Sequence, residues 1–211
     1  MISDDLLEYA ALHSTPELPI LDKLNHETHL TQVYPQMLAG HMQGTLLRFI
    51  AEMMKPERIL EIGTFTSYST LCLASSMPST GVIHTIEVNP EQEEIIRRYI
   101  WESGMENQII LHIGDAKTII PGLNETWDLV YIDADKPNYL SYYNLVFDNV
   151  RPGGFILADN ALWDGKVLKL HEERDKDTLG IVEFNEFVHN DDRVDNLLLP
   201  FRDGLMMVQK R

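Results

Sequence analysis

Cysteine is all but missing: Cys72 is the only one in 211 residues, so no internal disulfide can form and a reducing cytoplasm is expected. Its place inside an apolar stretch marks it as a small core residue rather than a nucleophile. Positive charge is scarce as well. Lysine and arginine total 17 against 33 aspartates and glutamates, a formal net charge of −16. Such a surface repels phosphate backbones, which argues against a general nucleic-acid or membrane-surface binder, and part of the charge serves solubility. No apolar run reaches the roughly 18 residues of a membrane span. Met1-Ile2-Ser3-Asp4-Asp5 carries no basic segment followed by an apolar one, so no secretory leader is expected. Internal repeats, linkers and low-complexity segments are missing too. What remains is one domain, 44% hydrophobic and 24% charged, long enough to bury a real core.

The most informative stretch is 128–160. Asp128-Leu129-Val130-Tyr131-Ile132 runs into Asp133-Ala134-Asp135-Lys136, and Gly153-Gly154-Phe155-Ile156-Leu157-Ala158 runs into Asp159-Asn160. Short apolar runs bounded by polar residues read as buried parallel strands, and in open α/β sheets ligands sit beyond the carboxyl ends of the strands. Asp133, Asp159 and Asn160 are three hard oxygen donors suited to Mg²⁺, Ca²⁺ or Mn²⁺, and Lys136 adds a local cation and a candidate base. The competing reading makes Asp133 and Asp159 strand-end residues that cap the next helix or turn.

Earlier in the chain, residues 4–12 have helical spacing, Pro16 and Pro19 interrupt, and 20–32 is polar and histidine-bearing. His26 and His29 are three apart, with solvated surface as their default. The segment 34–42 fits a pocket lining or a subunit contact. Leu46, Leu47, Ile50, Ala51 and Met54 form an amphipathic helix from Gly44 to before Pro56. Arg58-Ile59-Leu60-Glu61-Ile62-Gly63 is a strand closed by glycine, with Thr64-Phe65-Thr66-Ser67-Tyr68-Ser69 opening a helix that runs through Met77. This arrangement lets a ligand approach backbone and helix N-terminus. Glu61 is an odd residue for a buried sheet unless it accepts a hydrogen bond.

Val82-Ile83-His84-Thr85-Ile86-Glu87 is the next strand. Glu87 at its end fits the carboxylate that accepts from two ribose hydroxyls, or else a solvated strand end. A helix over 91–103, a strand at Ile109–Ile113, Gly114-Asp115-Ala116 with a short helix, and a helix over Tyr139–Val150 complete a strand–helix alternation. It predicts a mostly parallel sheet with right-handed crossovers. Residues 160–178 read as a loop or lid, 178–190 as a helix, and 194–210 as a hairpin adding an antiparallel pair.

Taken together, Leu60-Glu61-Ile62-Gly63-Thr64-Phe65-Thr66-Ser67-Tyr68-Ser69, Glu87, Gly114-Asp115-Ala116, Asp133-Ala134-Asp135-Lys136 with Asn138-Tyr139, Asp159-Asn160 with Leu162-Trp163 and Gly165, and Asp203-Gly204 resemble the cation-dependent class I S-adenosylmethionine O-methyltransferases of the caffeoyl-CoA and catechol type. The resemblance runs from about Met37 onward. It implies a Rossmann-like seven-stranded, mostly parallel sheet with helices on both faces and a C-terminal antiparallel hairpin, usually in a homodimer. It further implies Glu61, Gly63, Thr64, Ser69, Glu87, Ala116, Asp133 and Asp135 around S-adenosylmethionine, and Asp133, Asp159 and Asn160 around a divalent cation. Lys136 matches the general base, with Asp133 beside it. Lys136, Asn160 and Trp163 would face a small phenolic acceptor, on which Trp163 either stacks or else packs against its own domain or a dimer mate. The implied reaction methylates one hydroxyl of a cation-chelated catechol.

Departures fall at Ser67, where the family commonly has glycine, at Ala39, where plant members carry a hydroxyl residue, and across the first 35 residues and 163–178, which shape the acceptor pocket or a dimer contact. The rival acceptor is a hydroxylated uridine in transfer RNA, to which the mixed-charge run of Lys166, Lys169, Glu172, Glu173, Arg174, Asp175, Lys176 and Asp177 gives little support. A nicotinamide oxidoreductase is disfavoured because only Gly63 stands where G-x-G-x-x-G wants three glycines. A non-catalytic binder is disfavoured by the presence of every cation ligand and Lys136.

Overall fold

The computed structural model describes residues 4–211, so the leader reading at 1–3 lies outside the described residues. Seven strands form one sheet in the order β3-β2-β1-β4-β5-β7-β6. They are β1 (Arg58–Ile62), β2 (Val82–Glu87), β3 (Ile109–Ile113), β4 (Trp127–Ile132), β5 (Val150–Ala158), β6 (Val194–Leu199) and β7 (Leu205–Lys210). The first five are parallel, and the hairpin β6–β7 joins antiparallel against β5.

The central strands are apolar on both faces because both faces are covered. Ile59, Leu129 and Tyr131 point into one buried cluster, while Leu60, Val130 and Ile132 point into the other. That is the two-residue alternation of a strand with each side packed. The first cluster is shared with α2 (Pro19–Thr31), α3 (Gly40–Met54), α4 (Tyr68–Ala74) and α5 (Glu93–Ser103); the second takes α6 (Ala116–Ile119), α7 (Tyr139–Phe147) and α8 (Lys176–His189). The N-terminal α1 spans Asp4–Leu12. Successive crossovers reverse direction between β1 and β4, and that switch point opens a crevice beyond the strand ends.

Several boundaries differ from the sequence expectation. The helix expected from Gly44 begins at Gly40, and Gly44 is a packing residue inside it: a Cβ there would stand 2.7 Å from both Cys72 Sγ and the Tyr68 ring. Cys72 is accordingly buried in the α3–α4 contact. The helix expected to reach Val150 stops at Phe147, where Lys210 Nζ donates to the carbonyls of Phe147 (2.9 Å) and Val150 (2.8 Å) and splits helix from strand. Residues 163–168 and 171–173 form short 3-10 turns, and Asp175 then caps α8 by accepting the Thr178 N–H at 2.8 Å.

Candidate active site

A cavity of about 990 Å³ lies beyond the carboxyl ends of β1, β2, β4 and β5, walled on its outer side by the segment 32–39. One half is built on the turn after β1. Gly63 has φ +100°, and a Cβ there would come within 1.9 Å of the Asp133 carbonyl oxygen, so only glycine lets β1 and β4 end side by side. Thr64, behind it, shares a 2.6 Å hydrogen bond with Thr85. Glu87 is fixed by the backbone N–H groups of Phe65 and Asn89, each at 2.8 Å and one to each carboxylate oxygen. Each oxygen keeps a lone pair for a further donor. Asp135 accepts from the Tyr142 hydroxyl at 2.6 Å and from Asn138, and Ser69 and Ala116 complete the lining.

Beneath this turn Glu61 is 0% exposed. Its Oε2 accepts from the Thr85 hydroxyl at 2.6 Å and from that of Thr70, whereas Oε1 is buried without a partner. Burial pushes the carboxyl up to about 7, against the pull of the neighbouring Ser69, Thr70 and Thr85 hydroxyls.

The other half collects the second group of expected residues. Lys136 is buried and donates from Nζ to Asp133 Oδ1 at 3.2 Å and to the Tyr139 hydroxyl at 2.6 Å, and Tyr139 in turn donates to the Asp159 carbonyl at 3.0 Å. Asp159 accepts the Asn160 N–H on Oδ1 at 2.8 Å. Burial first, and the charge of Asp133 second, push its carboxyl up to about 6. Asn160 sits in left-handed backbone at φ +57° and donates from Nδ2 to Asp203 Oδ2 at 3.2 Å, which leaves its amide oxygen for another partner. The Trp163 ring lies between two ammonium groups, 5.6 Å from Lys136 Nζ and 5.3 Å from Lys166 Nζ.

Every expected site residue therefore meets at this one cavity, with Glu61 directly under it. Sequence reasoning missed Gln43, Tyr131 and Arg202, and gave no role to Tyr139, which it quoted only as part of a motif. Gln43 was the detectable one, a polar side chain on the buried stripe of α3 with Leu47, Ile50 and Ala51. His26 and His29 are on the surface, where His29 Nδ1 pairs with its own helix at Asn25 O, 2.9 Å.

The O-methyltransferase family profile matches residues 11–211. The chain belongs to the O-methyltransferase family. This methyltransferase is similar to a caffeoyl-CoA O-methyltransferase of Stellaria longipes, 30% identical over 192 residues that cover 85% of this chain and 80% of the relative. It is also similar to a catechol O-methyltransferase of Niastella koreensis, 36% identical over 138 residues, or 64% of this chain and 62% of that one. The crystal structure of the Streptomyces achromogenes O-methyltransferase TomG, in complex with SAM, superposes with TM-score 0.91 at 27% identity, covering 98% of this chain and 96% of that one.

The oxygen set of the methyltransferase suits a cation by chemistry rather than by a cluster of acids. Among the described residues, no three His, Cys, Asp or Glu side chains stand together as a metal-binding group. Two carboxylates and an amide do converge, and Asp159 is raised by its burial first and by the neighbouring Asp133 charge second, both of which a divalent charge would offset.

Proposed function

We propose that this enzyme transfers a methyl group from S-adenosylmethionine to one hydroxyl of a catechol-like phenolic small molecule, and that the transfer depends on a divalent cation, Mg²⁺ foremost, with Ca²⁺ or Mn²⁺ as alternatives. The observation that carries the reading is the meeting of Asp133, Asp159 and Asn160 with Lys136 at one end of a cavity whose other end has the donor-binding features of a glycine turn and an acidic strand end.

In this reading Glu87 accepts the ribose hydroxyls, Gly63 and Thr64 let the cofactor approach the backbone, and Ser69, Ala116, Asp133 and Asp135 line its remaining length. The unpartnered Oε1 of Glu61 adds an acceptor suited to a cationic amino group. Asp133, Asp159 and Asn160 hold the cation. When bound, the sulfonium supplies the methyl group and the cation lowers the affinity of a chelated phenol for its proton. Lys136 Nζ receives that proton when it is a neutral amine and steers it when it is an ammonium, while Tyr139 and Asp133 fix Nζ in place. Asn160 and Trp163 orient the acceptor ring, since methyl transfer demands that oxygen, carbon and sulfur stand in line.

Methyl transfer to a panel of vicinal-diol phenols, with Mg²⁺ and then with chelator, in wild type and Asp159→Ala, tests the reading. Activity lost on chelation and in the variant is expected. Turnover that ignores the chelator would remove the cation, and turnover only on a hydroxylated uridine of transfer RNA would replace the acceptor. We further propose that the enzyme works as a cytoplasmic homodimer, a reading supported by the free thiol of buried Cys72 and by large apolar side chains left exposed on α1 and α3.

A further inference from the structure

We propose that Gln43 is a positioning residue for Asp159, held in its working orientation by Arg202; the inference rests on the cation-dependent reading above. Gln43 projects from α3 and is 2% exposed, a buried primary amide that is tolerable only if both of its ends are paired. Both are. Nε2 donates to Asp159 Oδ2 at 2.5 Å and to the Tyr131 hydroxyl at 2.9 Å, while Oε1 accepts from Arg202 Nη1 at 2.7 Å.

The two partners differ in charge, so the amide has only one acceptable orientation. Turned over, its oxygen would face a carboxylate and its NH₂ would face a guanidinium, replacing two attractions by two repulsions. The Tyr131 hydroxyl adds a second donor to Oδ2 at 3.2 Å, and burial keeps that phenol protonated. With the Asn160 N–H on Oδ1, the Asp159 carboxylate has donors on both oxygens and no free rotation about its terminal bond. Groups that orient a ligating carboxylate in this way typically contribute about 10–100-fold to metal affinity.

Arg202 belongs to the β6–β7 turn and adopts φ +50°, a left-handed conformation unusual for a long side chain. Its neighbour Asp203 accepts from Asn160 Nδ2 at 3.2 Å and from the Asp164 N–H at 2.5 Å. Gly204 closes the turn against Leu162, whose Cγ would lie 2.5 Å from a Cβ at that position. One hairpin turn thus steadies both ligands that follow β5: Asp159 through Gln43, and Asn160 through Asp203.

The test titrates Mn²⁺ alone, by electron paramagnetic resonance, into the full chain without cofactor, for wild type, Gln43→Leu and Arg202→Met. The expected result is a dissociation constant raised about 10–100-fold in Gln43→Leu, and by a smaller factor in Arg202→Met, the milder change because that residue is exposed. Calorimetric affinity for S-adenosylhomocysteine should stay at the wild-type value in both, which separates positioning from general damage. Mn²⁺ binding equal to wild type in both variants would overturn the inference alone. Failure of the wild type itself to bind Mn²⁺ would overturn the cation reading and this inference with it.

Discussion

Lys136 carries its ammonium between a carboxylate and a phenol, in contact with the cavity yet almost shielded from water. In the proposed reaction it acts on the acceptor proton and touches the cofactor little. Lys136→Met should therefore lower kcat by roughly 10²–10⁴-fold while calorimetric affinity for S-adenosylhomocysteine stays near wild type; a variant impaired only in KM would make the lysine a binding group instead. Glu61 gives a different prediction. Its carboxyl is raised from the usual 4.5 to about 7 by burial, so the folded chain holds this proton more tightly than the unfolded one. The stability linked to that proton is fully present below about 4.5 and is lost as pH rises through about 7, a change of roughly 3 kcal/mol. Urea unfolding of the ligand-free enzyme between pH 5 and 8 should show the gap between Glu61→Gln and wild type widening with pH in the variant's favour. A constant gap would mean that Glu61 does not titrate in this range.

At the scale of elements, the turn from β1 into α4 concentrates the backbone strain at the end of the cavity proposed for the cofactor. Gly63 has no alternative, since its neighbour across the turn is the backbone of β4. Ser67 is another matter: it is buried, holds φ +77° at the N-terminus of α4, and makes its side-chain hydrogen bond only to the adjoining Thr66 carbonyl. A Cβ-bearing residue in left-handed backbone costs about 1 kcal/mol, and part of any relief is offset by the greater freedom of glycine when unfolded. Ser67→Gly should raise the melting temperature by roughly 2 °C and retain methyl transfer. A lower melting temperature would show that the serine hydroxyl contributes more to the turn than its backbone strain removes.

For the whole molecule, the question is what covers the outward face of the N-terminal helices. Phe49 and Met53, four apart on α3, are 54% and 75% exposed, and Leu6, Tyr9 and Leu12 stand open on α1. Apolar side chains of that size left in water mark a surface meant to be covered, and a second copy is the occupant proposed above. Light scattering on wild type should give a dimer, and Phe49→Glu with Met53→Lys a monomer; a wild-type monomer would remove the proposal. No described helix is long and apolar enough to cross a membrane.

Local pattern alone placed β1 to β5 within a few residues and put Glu61, Gly63, Glu87, Asp133, Asp159 and Asn160 at strand ends. A strand buried on both faces must be a short apolar run, and the polar residue that stops the run marks the edge where ligands bind. The departure of Ser67 from glycine was visible only against the family resemblance. What only the tertiary structure decided depends on pairs remote in sequence. Gln43 meets Asp159 across 116 positions, Arg202 meets Gln43 across 159, and Lys210 ends α7 from 63 positions away. Gly44 looked like a helix start and proved to be the point where α3 touches α4. No periodicity records such contacts, because a hydrogen bond or a close approach between distant segments leaves its trace only in the residue type at each end. Gln43, a polar residue on an apolar stripe, was that trace, and its partner became known only when the chain was folded.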